Sequence, residues 1–86
     1  MLHCRLFSTL GCHLCELAEL ELQPLLGLLP LQIEWVDIAE REDWVERYAV
    51  HIPVFVRLDT GAELFWPFTT EQAWHFCTQQ GQESQQ

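Results

Sequence analysis

The chain has 86 residues, 49% hydrophobic and 20% charged, which is the length of one small domain with enough apolar side chains for one core. That excludes a two-domain enzyme and a generally disordered chain. Thirteen acidic residues face four basic ones, all arginine, for a net charge of -9, so the chain lacks the cations needed to displace counterions from a nucleic acid or to hold an anionic membrane.

The start, Met1-Leu2-His3-Cys4, has neither the basic residues nor the apolar run of a secretory signal, and no stretch of about 18 apolar residues is present to span a bilayer. A soluble, cytoplasmic, monomeric protein is expected. In that setting Cys4, Cys12, Cys15 and Cys77 are expected as reduced thiols with a specific use, not as a disulfide framework.

Taken in chain order, Leu2 to Phe7 reads as a strand with Leu2, Cys4 and Leu6 on one face, followed by a turn at Ser8-Thr9-Leu10-Gly11. From Cys12 the period becomes helical, with Leu14, Leu17, Ala18, Leu22 and Leu25 on an apolar face and Glu16, Glu19 and Gln23 on a wet one. Pro24 is expected to end this helix near Leu22 or bend it there. Leu31 to Asp37 alternates as a second strand. Asp37 with Glu40 has the form of a helix N-terminus leading into Trp44, Val45 and Tyr48.

Val54 to Leu58 and Ala62 to Trp66 are paired strands around the turn signal Asp59-Thr60-Gly61. Thr69 and Gln72 form a capping box ahead of a last helix bearing Ala73, Trp74, Phe76 and Cys77. The order is β-α-β-α-β-β-α, an α/β fold. A helical connection makes the first two strands parallel and a tight turn makes the last two antiparallel, in a four-stranded mixed sheet with helices on both faces. Residues 1–80 form one domain, and 81–86 are expected to be a flexible C-terminal tail.

The chemistry lies in Cys12-His13-Leu14-Cys15, immediately after a strand and loop and at the opening of a helix. Unpaired N–H groups and the positive end of the helix dipole favour the Cys12 thiolate, the form that attacks a disulfide. Cys15, one turn on, is placed to attack a mixed disulfide at Cys12 and release the reduced product. The competing structural reading is half of a zinc site. It lacks its second half, because His3, His13, His51 and His75 are scattered and no second Cys-x-x-Cys is present.

The Cys-x-x-Cys at the first helix, the element order, and Ile52-Pro53-Val54 entering the third strand resemble the thioredoxin superfamily. Together with Tyr48 and Glu63-Leu64-Phe65-Trp66-Pro67-Phe68, they are similar to small glutaredoxin-like proteins with a Cys-His-Leu-Cys motif, from about Leu2 to Gln79. The resemblance implies a thioredoxin-like fold and a thiol-disulfide oxidoreductase in which Cys12 and Cys15 carry the exchange. It implies that Pro53 is a cis-proline facing the pair, leaving the Ile52 backbone free to hold an extended substrate. Substrates would be disulfide-containing proteins or small thiols, with a reductase or glutathione as electron donor and no bound cofactor.

Two departures bear on glutathione: Ser8-Thr9-Leu10-Gly11 has no basic residue ahead of Cys12, and Trp66-Pro67-Phe68 stands where a glycine pair is common. Arg41, Arg47 or Arg57 would have to supply the charge. Thr70 and Glu71, at the start of the last helix, are candidates for its γ-glutamyl end, although such residues are ordinary at a helix start.

His13, if protonated, favours the Cys12 thiolate, while Glu16 and Glu19 oppose it. Cys4 and Cys77 read as core residues, as do Trp35, Trp44 and Trp74. Trp66 with Phe65 and Phe68 reads as core first and as an apolar contact patch second. Two other functions use the same residues: a redox-inactive binding module contacting partners through Phe65 to Phe68, and metal or iron-sulfur ligation by Cys12 in a dimer.

Overall fold

The computed structural model describes residues 1–79. Its elements are β1 (Leu2–Ser8), α1 (His13–Leu26), β2 (Leu31–Asp37), a 3₁₀ turn (Ile38–Glu40), α2 (Glu42–Tyr48), β3 (Val54–Arg57), β4 (Glu63–Phe65) and α3 (Thr70–Thr78). The sheet order is β2-β1-β3-β4, with β1 and β2 parallel and the other neighbours antiparallel. The expected mixed sheet and element order are therefore present. The expected tail, 81–86, lies outside the described residues. Among the described residues, no helix is long and apolar enough to cross a membrane.

Alternation along the inner strands builds two cores. Cys4 and Leu6 of β1 and Phe55 of β3 pack with Ala18, Leu22 and Leu25 of α1 and Ala73 and Cys77 of α3. Phe7 of β1 and Val54 and Val56 of β3 point the other way and pack with Ile38 and Tyr48. Phe7 stacks on Tyr48 at 4.5 Å between ring centroids and meets Trp44 edge-on at 5.4 Å. β3 is buried at every position because it is an inner strand covered on both faces.

Several local expectations change. Pro24 neither ends α1 at Leu22 nor stops it before Leu26. An interior proline costs about 3 kcal/mol, but Leu25 lies one residue beyond it, fully buried in the first core. Burial of such a side chain contributes about 1.5–3 kcal/mol, enough with its neighbours to hold the last turn in place. Leu14 and Leu17, expected on the apolar face, are exposed, and the buried stripe is Cys15, Ala18, Leu22 and Leu25.

Asp37 caps the 3₁₀ turn, accepting from the Ala39 N–H at 2.9 Å, instead of opening α2. Buried Ile38 draws this turn onto the core, and extended Arg41 separates it from α2. Trp35 shares a face with Leu31 and Ile33, but β2 is an edge strand and the ring stays 48% exposed. Trp74 is likewise exposed, so only Trp44 of the three tryptophans packs in the way expected. The β3–β4 turn has Gly61 at φ 79°, a left-handed conformation that favours glycine, and both strands end short of the expected bounds. The Thr69–Gln72 capping box is fully formed.

Candidate functional site

β1 ends at Ser8, and the chain turns through Gly11 at φ 74° before Cys12 caps α1. A Cβ at Gly11 would meet nothing within 4 Å, so glycine is favoured here by backbone conformation and not by space. Cys12 has extended geometry (φ -92°, ψ 106°), and its sulfur accepts the Cys15 N–H at 3.2 Å. A sulfur thus occupies the N-cap place usually held by a serine or aspartate oxygen.

The Cys12 and Cys15 sulfurs are bonded as a disulfide, with Cα atoms 5.2 Å apart. That separation lies inside the range of about 4.4–6.8 Å for a disulfide. Access differs between the two: Cys12 is half-buried, whereas Cys15 is buried on the core side of α1. His13 points to solvent with Nδ1 3.9 Å from a Glu16 carboxylate oxygen.

The sheet brings Pro53 and Ile52 to the same end of the molecule. Antiparallel pairing sets Phe7 opposite Val54, so residue 53 falls beside the end of β1 from which the Cys12 loop departs. Pro53 is buried and the Ile52–Pro53 bond is cis, as is Trp66–Pro67. One expectation is corrected here, since the Ile52 backbone is only partly free. Its N–H donates to the Tyr48 carbonyl at 3.0 Å because α2 unwinds directly into this loop.

Beneath the loop lies a network that sequence reading missed. The Tyr48 hydroxyl donates to Glu63 at 2.6 Å, and Arg47 donates to the same carboxylate oxygen at 2.9 Å. The bond from Tyr48, with Arg47 beside it, holds the Glu63 carboxyl below its usual range, while burial and the Glu63 charge push the Tyr48 phenol up. A polar residue within the short strand β4 was the available signal.

The candidates for holding an anion have other occupations. Arg5 pairs with Glu34, Arg41 with Asp43, Arg47 with Glu63 and Arg57 with Asp59, so every arginine already faces a carboxylate. At the start of α3, the Thr70 N–H and hydroxyl both donate to the Glu21 carboxylate at 2.8 Å, and the hydroxyl also reaches the Glu21 carbonyl at 2.7 Å. A side chain of α1 therefore fills the place considered for a γ-glutamyl group. Of the possible contact patch, Phe65 is exposed beside His51, whereas Trp66 and Phe68 pack together against the first core. Among the described residues, no three His, Cys, Asp or Glu side chains converge as a metal-binding group.

A sequence profile of the Glutaredoxin-like domain (DUF836) matches residues 3–75. The fold is similar to that in the X-ray structure of target protein XcR50 from X. campestris, with a TM-score of 0.73 and 26% identity over 88% of this chain and 99% of that one. No curated protein matches the chain. The profile spans both cysteines and most of the domain, and the chain belongs to the glutaredoxin-like domain family.

Proposed function

We propose that the protein is a thiol-disulfide oxidoreductase that reduces or exchanges disulfides through Cys12 and Cys15. The observation that carries this reading is the Cys12 sulfur at the N-cap of α1, accepting a backbone N–H and bonded to the less accessible Cys15. In the reduced protein the same N–H and the helix dipole stabilise the Cys12 thiolate. That thiolate attacks one sulfur of the substrate disulfide; the substrate S–S bond breaks, and the departing thiolate takes a proton. Cys15, deprotonated, then attacks the Cys12 sulfur. The second substrate thiol leaves, the Cys12–Cys15 bond forms, and two electrons have passed from the dithiol to the substrate.

Leu10 and Val50 are 90% and 89% exposed on the two loops at this end of the sheet, and they favour a protein segment as substrate. Pro53 and the Ile52 carbonyl would border that segment. As electron donor a reductase is favoured over glutathione, an anion, because the arginines are paired and Glu21 occupies Thr70. The setting is the reducing cytoplasm, where the pair is returned to its dithiol between turnovers, with the protein acting as a monomer and without a bound cofactor.

The test is trapping with Cys15→Ser. The variant should accumulate a mixed disulfide on Cys12 with substrate proteins, released by dithiothreitol. A Cys12–Cys15 pair with no reversible two-electron couple in a redox titration followed by intact mass would refute the proposal.

A further inference from the structure

The molecule holds a second pair of thiols that the exchange chemistry does not use. Cys4 of β1 and Cys77 of α3 lie in the same core, 1% and 8% exposed. A cation sits between their two elements. Arg57 is the cross-strand partner of Cys4, and its side chain, 6% exposed, donates to the Phe76 and Gln79 carbonyls at 2.8 Å each, on both sides of Cys77. Asp59 holds the rest of the guanidinium at 2.6 and 3.0 Å.

Packing alone does not require this arrangement. Two small apolar side chains would fill the same space without a buried arginine beside them.

We infer that Cys4 and Cys77 are a second redox site, a buried dithiol that a hydroperoxide closes to a disulfide, tying the last turn of α3 to the inner strand β1. The Cys4 thiol holds the Cys77 thiol below its ordinary range against the opposing effect of burial, and the Arg57 charge assists. Cys4 is pushed far up by Cys77 and by burial, and it remains the proton donor. Cys77 is also the more exposed of the two, so it meets the oxidant first.

The Cys77 thiolate attacks a peroxide oxygen, the O–O bond breaks, and hydroxide leaves and is protonated to water, giving a sulfenic acid. Cys4 then attacks the Cys77 sulfur. The S–S bond forms, the S–O bond breaks, and the departing hydroxide takes the Cys4 proton as a second water. Two thiols have lost two electrons and the peroxide has gained them. A dithiol reductant reverses the bond by exchange.

The site is tested in the full chain carrying Cys12→Ser and Cys15→Ser, so that the outcome is independent of the exchange reading. Hydrogen peroxide added to the folded, reduced protein should lower its mass by about 2 Da, the loss of two hydrogens. Peptide mapping should find Cys4 joined to Cys77. The melting temperature should rise by roughly 10 °C, as expected for closing a long loop, and dithiothreitol should restore the starting value. Cys4→Ala in the same background should stop at a sulfenic acid on Cys77, captured by dimedone.

The same mapping on the otherwise wild-type chain serves if the serine variant does not fold. Two results overturn the inference: thiols that stay free in the folded protein at peroxide concentrations that oxidise the same two thiols in the urea-unfolded chain, or mass gains in steps of about 16 Da on Cys77 with no cross-link.

Discussion

The two cysteine pairs differ in how they are brought together and in what surrounds them. Cys12 and Cys15 are neighbours on one helical turn, joined at a helix start with one sulfur within reach of solvent. Cys4 and Cys77 come from opposite ends of the chain and meet only because β1 and α3 pack on the same core. The first pair takes its electrostatics from local backbone, an N–H and a helix dipole. In the second the two thiols act on each other first, and a distant side chain, Arg57, whose guanidinium satisfies the end of α3, assists. A thiol environment can thus be built from short-range or long-range parts, and the two respond to different perturbations.

The largest expected effect separates the pairs by chemistry. Cys12→Ser should lower disulfide reduction by roughly 10³-fold or more, since the attacking thiolate is gone, while the melting temperature changes little. Comparable turnover in the variant would move the reaction away from Cys12.

Arg57→Ala should act the other way, on stability first. It leaves the part-buried Phe76 and Gln79 carbonyls without their donor and should cost about 1–3 kcal/mol in urea denaturation. A cost near zero would mean that water or neighbouring groups replace the arginine and that the second pair needs no cation.

A smaller effect is expected at Gly11. An alanine there meets no atom within 4 Å but must adopt φ near 74°, so the loss should be about 1 kcal/mol, measured by denaturation. Because the turn sets Cys12 at the cap, the rate of mixed-disulfide formation should fall with it. Loss of stability with an unchanged rate would show that α1 positions the sulfur without the turn.

The smallest effect is acid sensitivity, which the two regions share. Glu63 beneath the Ile52 loop and Asp59 behind Arg57 both titrate below their ordinary values, Glu63 because Tyr48 and Arg47 donate to it and Asp59 because Arg57 does. A depressed carboxyl contributes stability that is fully present above its unfolded value and is lost as pH falls through the folded one. Glu63→Gln should therefore cost about 1 kcal/mol at pH 7 and nothing near pH 2, where the wild-type carboxyl is also neutral. An equal cost at both pH values would assign Glu63 a packing role.

How much could be read in advance depends on the range of the forces involved. The Thr69–Gln72 box and the Gly61 turn are local, and both formed as their residues suggested. Cys12 at a helix start is local in the same sense, because capping depends on a few adjacent backbone groups. Asp37 misled because its capping signal was real but served a 3₁₀ turn that buried Ile38 draws onto the core. Trp35 misled because alternation reports which face a residue takes and not whether a neighbouring strand or helix covers it.

The sequence by itself determined the element order and the cysteine pair at the first helix, since these rest on periodicity, caps and spacing within a few residues. Only the tertiary structure decided that Glu21 occupies the start of α3, that every arginine is paired, and that Cys4 and Cys77 share a core. Those contacts join residues far apart along the chain, and packing density, not local propensity, selects which of many such partners meet.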